Sequence, residues 1–216
     1  MVDLKHIEAL LEDQNSLIVD LNISIKNMLR LKVDKYDQEA DIKKHGFFRH
    51  HWYQLKFISV IQLAKLFSSS KNEKRSFNKL CSILEDSYGL DFEKLLKDNA
   101  MKSTELAKSK SDIINIIADT KKVLEANKLS IKKIVDARNQ IYAHKDPDPK
   151  VDYIKSEEIE QLVKIASEIH NNFEFKIFFR TTMFSEANDW DVDYVLWYMS
   201  ELRKRDLDEL EQKINS

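Results

Sequence analysis

Two glycines and two prolines in 216 residues are too few for the turns that a sheet of several strands requires. A chain with so few places to reverse tightly must use long helices and a small number of connections. Apolar residues repeating at three- and four-residue steps supply the faces that such helices bury. Hydrophobic residues make up 43% of the chain, enough for a packed interior, and the 33% that are charged suit helices with one solvated face. The expectation is an all-α protein, a single domain over 1–216 with its core in about 1–180 and a C-terminal helical extension over about 189–214.

The pattern places a first helix over about Leu4 to Leu31, with Ile7, Leu10, Leu11, Leu17, Leu21, Ile25, Met28 and Leu29 as its apolar positions. The charged stretch Lys32 to Lys44 interrupts it or ends it. A second helix runs from near Phe47 to Phe67, and its middle is apolar on most faces, which marks a central element. Ser68 to Ser76 is a polar, lysine-rich loop. A short helix follows over Phe77 to Leu84, with Gly89 read as its C-terminal stop. Asp91 to Asn127 is helical with a break near Met101 to Ser111, and Leu129 to His144 is the next helix, stopped by Pro147 and Pro149. Ser156 followed by Glu157 and Glu158 makes a good start for a helix to about Phe179. The last helix, Asp189 to Ile214, carries Trp190, Tyr194, Trp197 and Tyr198 on one side as core or a subunit contact. Phe173, Phe175, Phe178 and Phe179 read as core.

The net charge of −2 provides no global field for polyanions, which argues against a strong non-specific nucleic-acid binder but leaves a local basic cleft open. A single cysteine, Cys81, rules out an intramolecular disulfide and reads as a small core residue. With no charged-then-apolar leader and no apolar run near about 18 residues, the expectation is a cytoplasmic protein with no membrane contact.

Arg138 is the residue that breaks the pattern. Ile131, Ile134, Val135, Ile141 and Tyr142 line one helix face, and Arg138 falls in the same series, while Lys132, Lys133, Asp136, Asn139 and Gln140 take the other side. A guanidinium cannot shed its charge, so it must meet a partner charge or face a wet cleft. His144 follows at the helix end, so a permanent cation and a titratable imidazole arrive together. A plain structural alternative is a helix-end histidine bonding terminal carbonyls and an arginine in a core ion pair.

Arg138-Asn139 followed by His144 resembles the Arg-x(4–6)-His motif of HEPN domains. Ala137-Arg-Asn-Gln-Ile-Tyr-Ala-His-Lys-Asp146 is similar to the RNKxxAHxD pattern of abortive-infection proteins of the AbiU type, and Gln62-Leu-Ala-Lys-Leu-Phe67 to their second-helix segment. The resemblance implies a HEPN-like antiparallel helical bundle that forms a homodimer, with arginine and histidine of two protomers lining a shared cleft. It implies a metal-independent endoribonuclease with no cofactor, acting in phage defence or a toxin–antitoxin system, with RNA as substrate and an antitoxin or phage-derived partner. In that scheme His144 transfers protons, Arg138 stabilises phosphoryl charge and Asn139 orients an oxygen. Tyr142, Lys145 and Asp146 would contact the substrate beside them. The other function the resemblance allows is a non-catalytic helical module that binds a partner protein, nucleotide or RNA through the same cleft.

Two other clusters complete the inventory. His45, His50 and His51 stand with Arg49, Trp52 and Tyr53, where adjacent histidines point about 100° apart and miss metal-ligand spacing. Either they form a half-buried helix start, or Arg49 and His50 belong to a basic, aromatic rim that meets a base or phosphate. Lys71, Lys74, Arg75 and Lys79 read as a solvated loop or as a phosphate-contacting one. No glycine-rich phosphate loop and no recognisable serine or cysteine nucleophile is present.

Overall fold

The structure is a computed structural model that describes residues 4–86, 89–143, 153–187 and 191–215. Helices dominate it, and no strand occurs among the described residues. None of the described helices is long and apolar enough to cross a membrane. In chain order the α-helices are α1 (Leu4–Arg30), α2 (Glu39–Lys43), α3 (Gly46–Leu66), α4 (Phe77–Asp86), α5 (Leu90–Lys102), α6 (Lys110–Ala126), α7 (Lys128–Ala137), α8 (Ser156–Phe173) and α9 (Val192–Ile214).

The core follows from periodicity. On α1, Ile7, Leu10, Leu11, Leu17, Ile18, Leu21, Ile25 and Met28 are buried, and this stripe packs along α3 and α8. Each such side chain taken from water contributes roughly 1.5–3 kcal/mol. Helix α3 is the central element: it touches α1, α2, α7 and α8 and buries residues on most of its faces. The break between α5 and α6 has a local cause. Ser109 Oγ accepts from the Asp112 N–H at 3.3 Å, Asp112 Oδ2 accepts from the Ser109 N–H at 3.0 Å, and this reciprocal pair starts α6.

The structure corrects five details of the sequence reading. The charged stretch after α1 ends that helix rather than interrupting it, and holds a short helix of its own, α2. Gly89 precedes α5 with φ −77° and ψ 165°, ordinary extended backbone that asks nothing special of glycine. Lys155, not Ser156, precedes the start of α8, where its N–H donates to Glu158 Oε2 at 2.7 Å. The helix bearing Arg138 leaves the α form at Ala137 and continues as a π-helix over Arg138–Ala143. A second π turn, Glu174–Phe178, ends α8, and Phe179 then takes φ 58° and is exposed rather than in the core. Phe173 is buried, and Phe178 packs partly against the core.

Helix α9 stands apart from the main core. Its Val192 and Leu196 join Phe48 in a small separate cluster. Tyr194, Trp197 and Tyr198 are exposed, so the aromatic stripe is not core; Trp190 lies outside the described residues. What holds α9 is a charge network. Glu39 has no exposed surface, and its carboxylate accepts two bonds from Arg30 (2.6 and 2.9 Å) and the backbone N–H groups of Lys35 and Tyr36. Lys43 pairs with the same carboxylate at 2.9 Å. Arg30 Nε reaches across to Asp193 in the first turn of α9, and Tyr36 Oη donates to that carboxylate at 3.0 Å.

Burial alone would push the Glu39 carboxyl up; the donors around it outweigh burial and hold it at about 2, below its ordinary 4.5. A carboxylate depressed in the folded state contributes stability that is complete above its unfolded value and is lost as pH falls through its folded one. Glu39→Ala is therefore expected to cost about 3–5 kcal/mol at neutral pH, because it leaves Arg30 half-answered in a buried site. In urea denaturation at a series of pH values, the deficit of Glu39→Gln relative to the unmodified chain should shrink as pH falls from 4.5 toward about 2.

Candidate functional site

Helices α6 and α7 are nearly continuous: only Asn127, with φ −107° and ψ 12°, separates them. Along this combined rod, Lys121, Leu124, Lys128, Ile131, Val135 and Arg138 recur at three- and four-residue steps and so share a face. The opposite wall comes from the C-terminal end of α3 (Ala64, Lys65, Phe67), the loop after it (Ser68, Ser69, Ser70, Asn72, Glu73) and Asn78 of α4. Between the walls lies an open groove of about 950 Å³. Its floor is apolar, from Ala64, Phe67, Leu124, Ile131 and Val135. Its described lining carries five cations (Lys65, Lys121, Lys128, Lys132, Arg138) against two carboxylates (Glu73, Glu125), a local excess on a chain whose net charge is −2.

The π-helix places Arg138 at one end of this groove. Its neighbours Ile134 and Ala137 are buried, while Arg138 itself is half-buried. Arg138 Nη1 donates to Asn139 Oδ1 at 2.9 Å, and among the described residues no carboxylate pairs with the guanidinium. Of the two answers open to a cation on an apolar stripe, the described residues supply the wet cleft and no partner charge. Three of the other cations carry surface partners: Lys121 with Glu85, Lys128 with Glu125 and Lys132 with Asp136. Exposed pairs of this kind are weak and exchange readily for a stronger anion. Lys65 has no carboxylate partner among the described residues.

The sequence-derived site residues divide as follows. Arg138 and Asn139 are brought together in the groove. Tyr142 lies in the π-helix, and its side chain is outside the description; His144, Lys145 and Asp146 lie outside the described residues. Arg49 and His50 are exposed near the start of α3, sixteen and fifteen residues and so about 22–24 Å along the helix from Lys65. They are not among the groove's described lining. His45 caps α3, its Nδ1 accepting from the Phe47 N–H at 3.2 Å, and His51 stacks on Phe47. Among the described residues no three His, Cys, Asp or Glu side chains converge as metal ligands. Of the basic loop, Arg75 pairs with Asp13 at 3.2 Å; the groove uses the neighbouring Asn72 and Glu73 instead.

Lys65, Lys121, Lys128 and Lys132 were not singled out from sequence. Their signal is legible once α6 and α7 are read as one rod: Lys121, Lys128 and Lys132 stand seven and four residues apart, on the side of the rod that lines the groove with Arg138. Another residue missed is Lys56. It is 3% exposed in the middle of α3, its Nζ donates to the Ile154 carbonyl at 2.6 Å, and the Tyr153 ring lies 3.5 Å from it. This buried cation fastens the chain that returns after the Arg138–His144 motif onto the central helix.

No family model, no curated protein and no solved structure matches the chain. The site therefore rests on its own geometry. Were Arg138 half of a core ion pair, its removal would cost about 3–5 kcal/mol. An arginine facing water has no such debt, so Arg138→Ala is expected to change the urea-unfolding free energy by under about 1 kcal/mol. Lys56→Ala, by contrast, leaves the Ile154 carbonyl unpaired and is expected to cost about 2 kcal/mol or more.

Proposed function

We propose that the chain is a metal-independent endoribonuclease of the HEPN type, serving phage defence or a toxin–antitoxin pair, with the groove at Arg138 as its RNA cleft. One observation carries this reading: a half-buried guanidinium with no carboxylate partner among the described residues, at the end of a groove whose lining is locally cationic. A phosphodiester backbone fits such a groove because it brings the missing anions, and it releases counterions on binding. The apolar floor offers surface on which bases can rest. The proposed working form is a homodimer in which Arg138 and His144 approach their two-fold mates. An antitoxin or a phage-derived partner would act by covering or uncovering that cleft.

The chemistry follows from the residue types. His144, next in sequence after the π-helix, takes the proton from a ribose 2′-OH. The 2′-oxygen bonds to phosphorus, the bond from phosphorus to the 5′-oxygen breaks, and that oxygen receives a proton from the histidine pair. Arg138 meets the charge that gathers on the non-bridging oxygens in the transition state, and Asn139, bonded to Arg138, holds the guanidinium in place. The products carry a 2′,3′-cyclic phosphate and a free 5′-hydroxyl.

Purified protein incubated with total RNA in the presence of chelator is expected to cut it, leaving cyclic-phosphate ends. His144→Ala and Arg138→Ala should each lower the rate by a hundredfold or more, on the order of one lost general acid–base or oxyanion contact. A substrate lacking the 2′-OH at the scissile position should remain whole. Intact RNA with every preparation, combined with saturable binding of a protein or nucleotide in the groove, would replace catalysis with the binding-module reading.

A further inference from the structure

Beyond α8 and its π turn the chain doubles back as a strap, residues 179–187, on its way toward α9. The strap begins under strain. Phe179 stands at φ 58° and ψ 41°, a left-handed conformation that a residue with a Cβ rarely adopts. Its middle is tied to two helices by polar side chains. Asn171 of α8 brackets Thr182: Nδ2 donates to the Thr182 carbonyl at 3.0 Å, and Oδ1 accepts from the Thr182 N–H at 2.9 Å. The Thr182 hydroxyl donates to Asn15 Oδ1 of α1 at 2.9 Å. One 3₁₀ turn follows, Phe184–Glu186, and its Phe184 ring is buried edge-on to His170 of α8, with ring centroids 5.8 Å apart.

His170, which the strap covers, has no exposed surface, and neither of its ring nitrogens has a hydrogen-bond partner among the described residues. A neutral imidazole survives this; an imidazolium, with a charge and two N–H donors to satisfy, does not. The charged groups on the elements packed here give it no counter-charge. Glu174 of the π turn, one turn beyond His170, accepts from Arg180 Nε at 2.8 Å, Glu8 of α1 faces the same guanidinium at 3.7 Å, and Glu12 of α1 acts on Glu174. The one of these that acts on His170 is Arg180, itself a cation. Burial, and then this like charge, pull the imidazole down to about 4 from its ordinary 6.5. We infer that the strap is an acid-released latch: protonation of His170 expels Phe184 from its side, and residues 179–187 lift from α1 and α8 while the bundle beneath them stays folded. A ring whose proton affinity is depressed when covered and ordinary when uncovered favours the uncovered form as pH falls. The effect is negligible above 6.5 and grows as pH falls toward about 4. Release is local because the ties are a few polar contacts on a segment whose Thr181, Met183 and Ser185 are exposed, and the backbone at Phe179 relaxes when they part. The latch uses none of the groove residues, so it stands or falls independently of the ribonuclease reading.

The test is native-state hydrogen exchange on the full chain, read at the Thr182 N–H and divided by its intrinsic rate at each pH, which reports the opening equilibrium of the strap. Glu174 works against the latch, because its carboxyl is raised by burial and gives up a proton more readily once the strap lifts. The comparison is therefore with His170→Phe and His170→Leu, two variants of different shape that keep Glu174 and cannot titrate at position 170. Between about pH 7.5 and about pH 5, opening in the unmodified chain should rise about thirtyfold more than in either variant, the ratio set by a ring at 6.5 when open and about 4 when closed. At about pH 5 the strap should still open at least about tenfold more often than the buried Leu63 of α3, which reports the bundle as a whole. An equal rise in the unmodified chain and the variants would overturn the inference by removing His170 from it. Equal opening at Thr182 and Leu63 would overturn it by showing that the whole bundle, not the strap, gives way.

Discussion

A charge drawn into a helical bundle must be answered, and much of this protein is arranged around how its half-buried cations are answered. Arg30 is met by Glu39 and Asp193, and that network ties α1, α2 and the start of α9 together. Lys133 is met by Glu158, and the buried Lys56 by a backbone carbonyl and an aromatic ring. Arg138 is the exception: its described partner is a neutral amide oxygen. Desolvating a guanidinium without a counter-charge is expensive, so the fold leaves it at the edge of an open groove. The groove and the exposed charge are two aspects of one solution.

That solution accounts for a protein whose overall charge is mildly negative and whose proposed ligand is a polyanion. Affinity for a phosphate chain depends on the cations it touches, not on the sum over the surface. The phase of α6 and α7 places Lys121, Lys128, Lys132 and Arg138 along one wall, and Lys65 faces them from α3. Long-range attraction is thus weak and local complementarity strong, a balance that favours selective contact over general RNA degradation. The π-helix at Arg138–Ala143 widens the backbone where the motif leaves the core, and such segments concentrate at functional positions.

The fold was largely legible, and the misses have physical causes. Helices α1 and α3 were read to within one residue: α1 because 3.6-residue periodicity over more than twenty positions leaves little freedom, α3 because a long segment apolar on most of its faces marks a central helix. Helix α2 was missed since its stability comes from Glu39 capturing Arg30 from another helix, which no local pattern reveals. The π turn was missed because it keeps an α-like sequence and differs only in hydrogen-bond register. At the site, Arg138 was conspicuous as a charge on an apolar stripe. The lysines around it were not, because each alone resembles a solvated-face residue, and Asn127 disguised two helices that act as one rod. Lys56 was hidden in a segment whose apolar neighbours made burial expected, while the carbonyl that accepts from it lies 98 residues away.

The central claim is that the Arg138 cation is available to an anion in the groove. It is tested most directly by the salt dependence of binding to a 2′-O-methyl RNA oligonucleotide, which resists 2′-OH chemistry, compared between the unmodified chain and Arg138→Ala. Titrations from about 50 to about 200 mM salt should give linear plots of log affinity against log salt, with the Arg138→Ala line lower in affinity and shallower by about 0.7, the release from one phosphate contact on a single strand. Identical affinities and slopes for the two proteins would show that Arg138 does not face the ligand and would contradict the account.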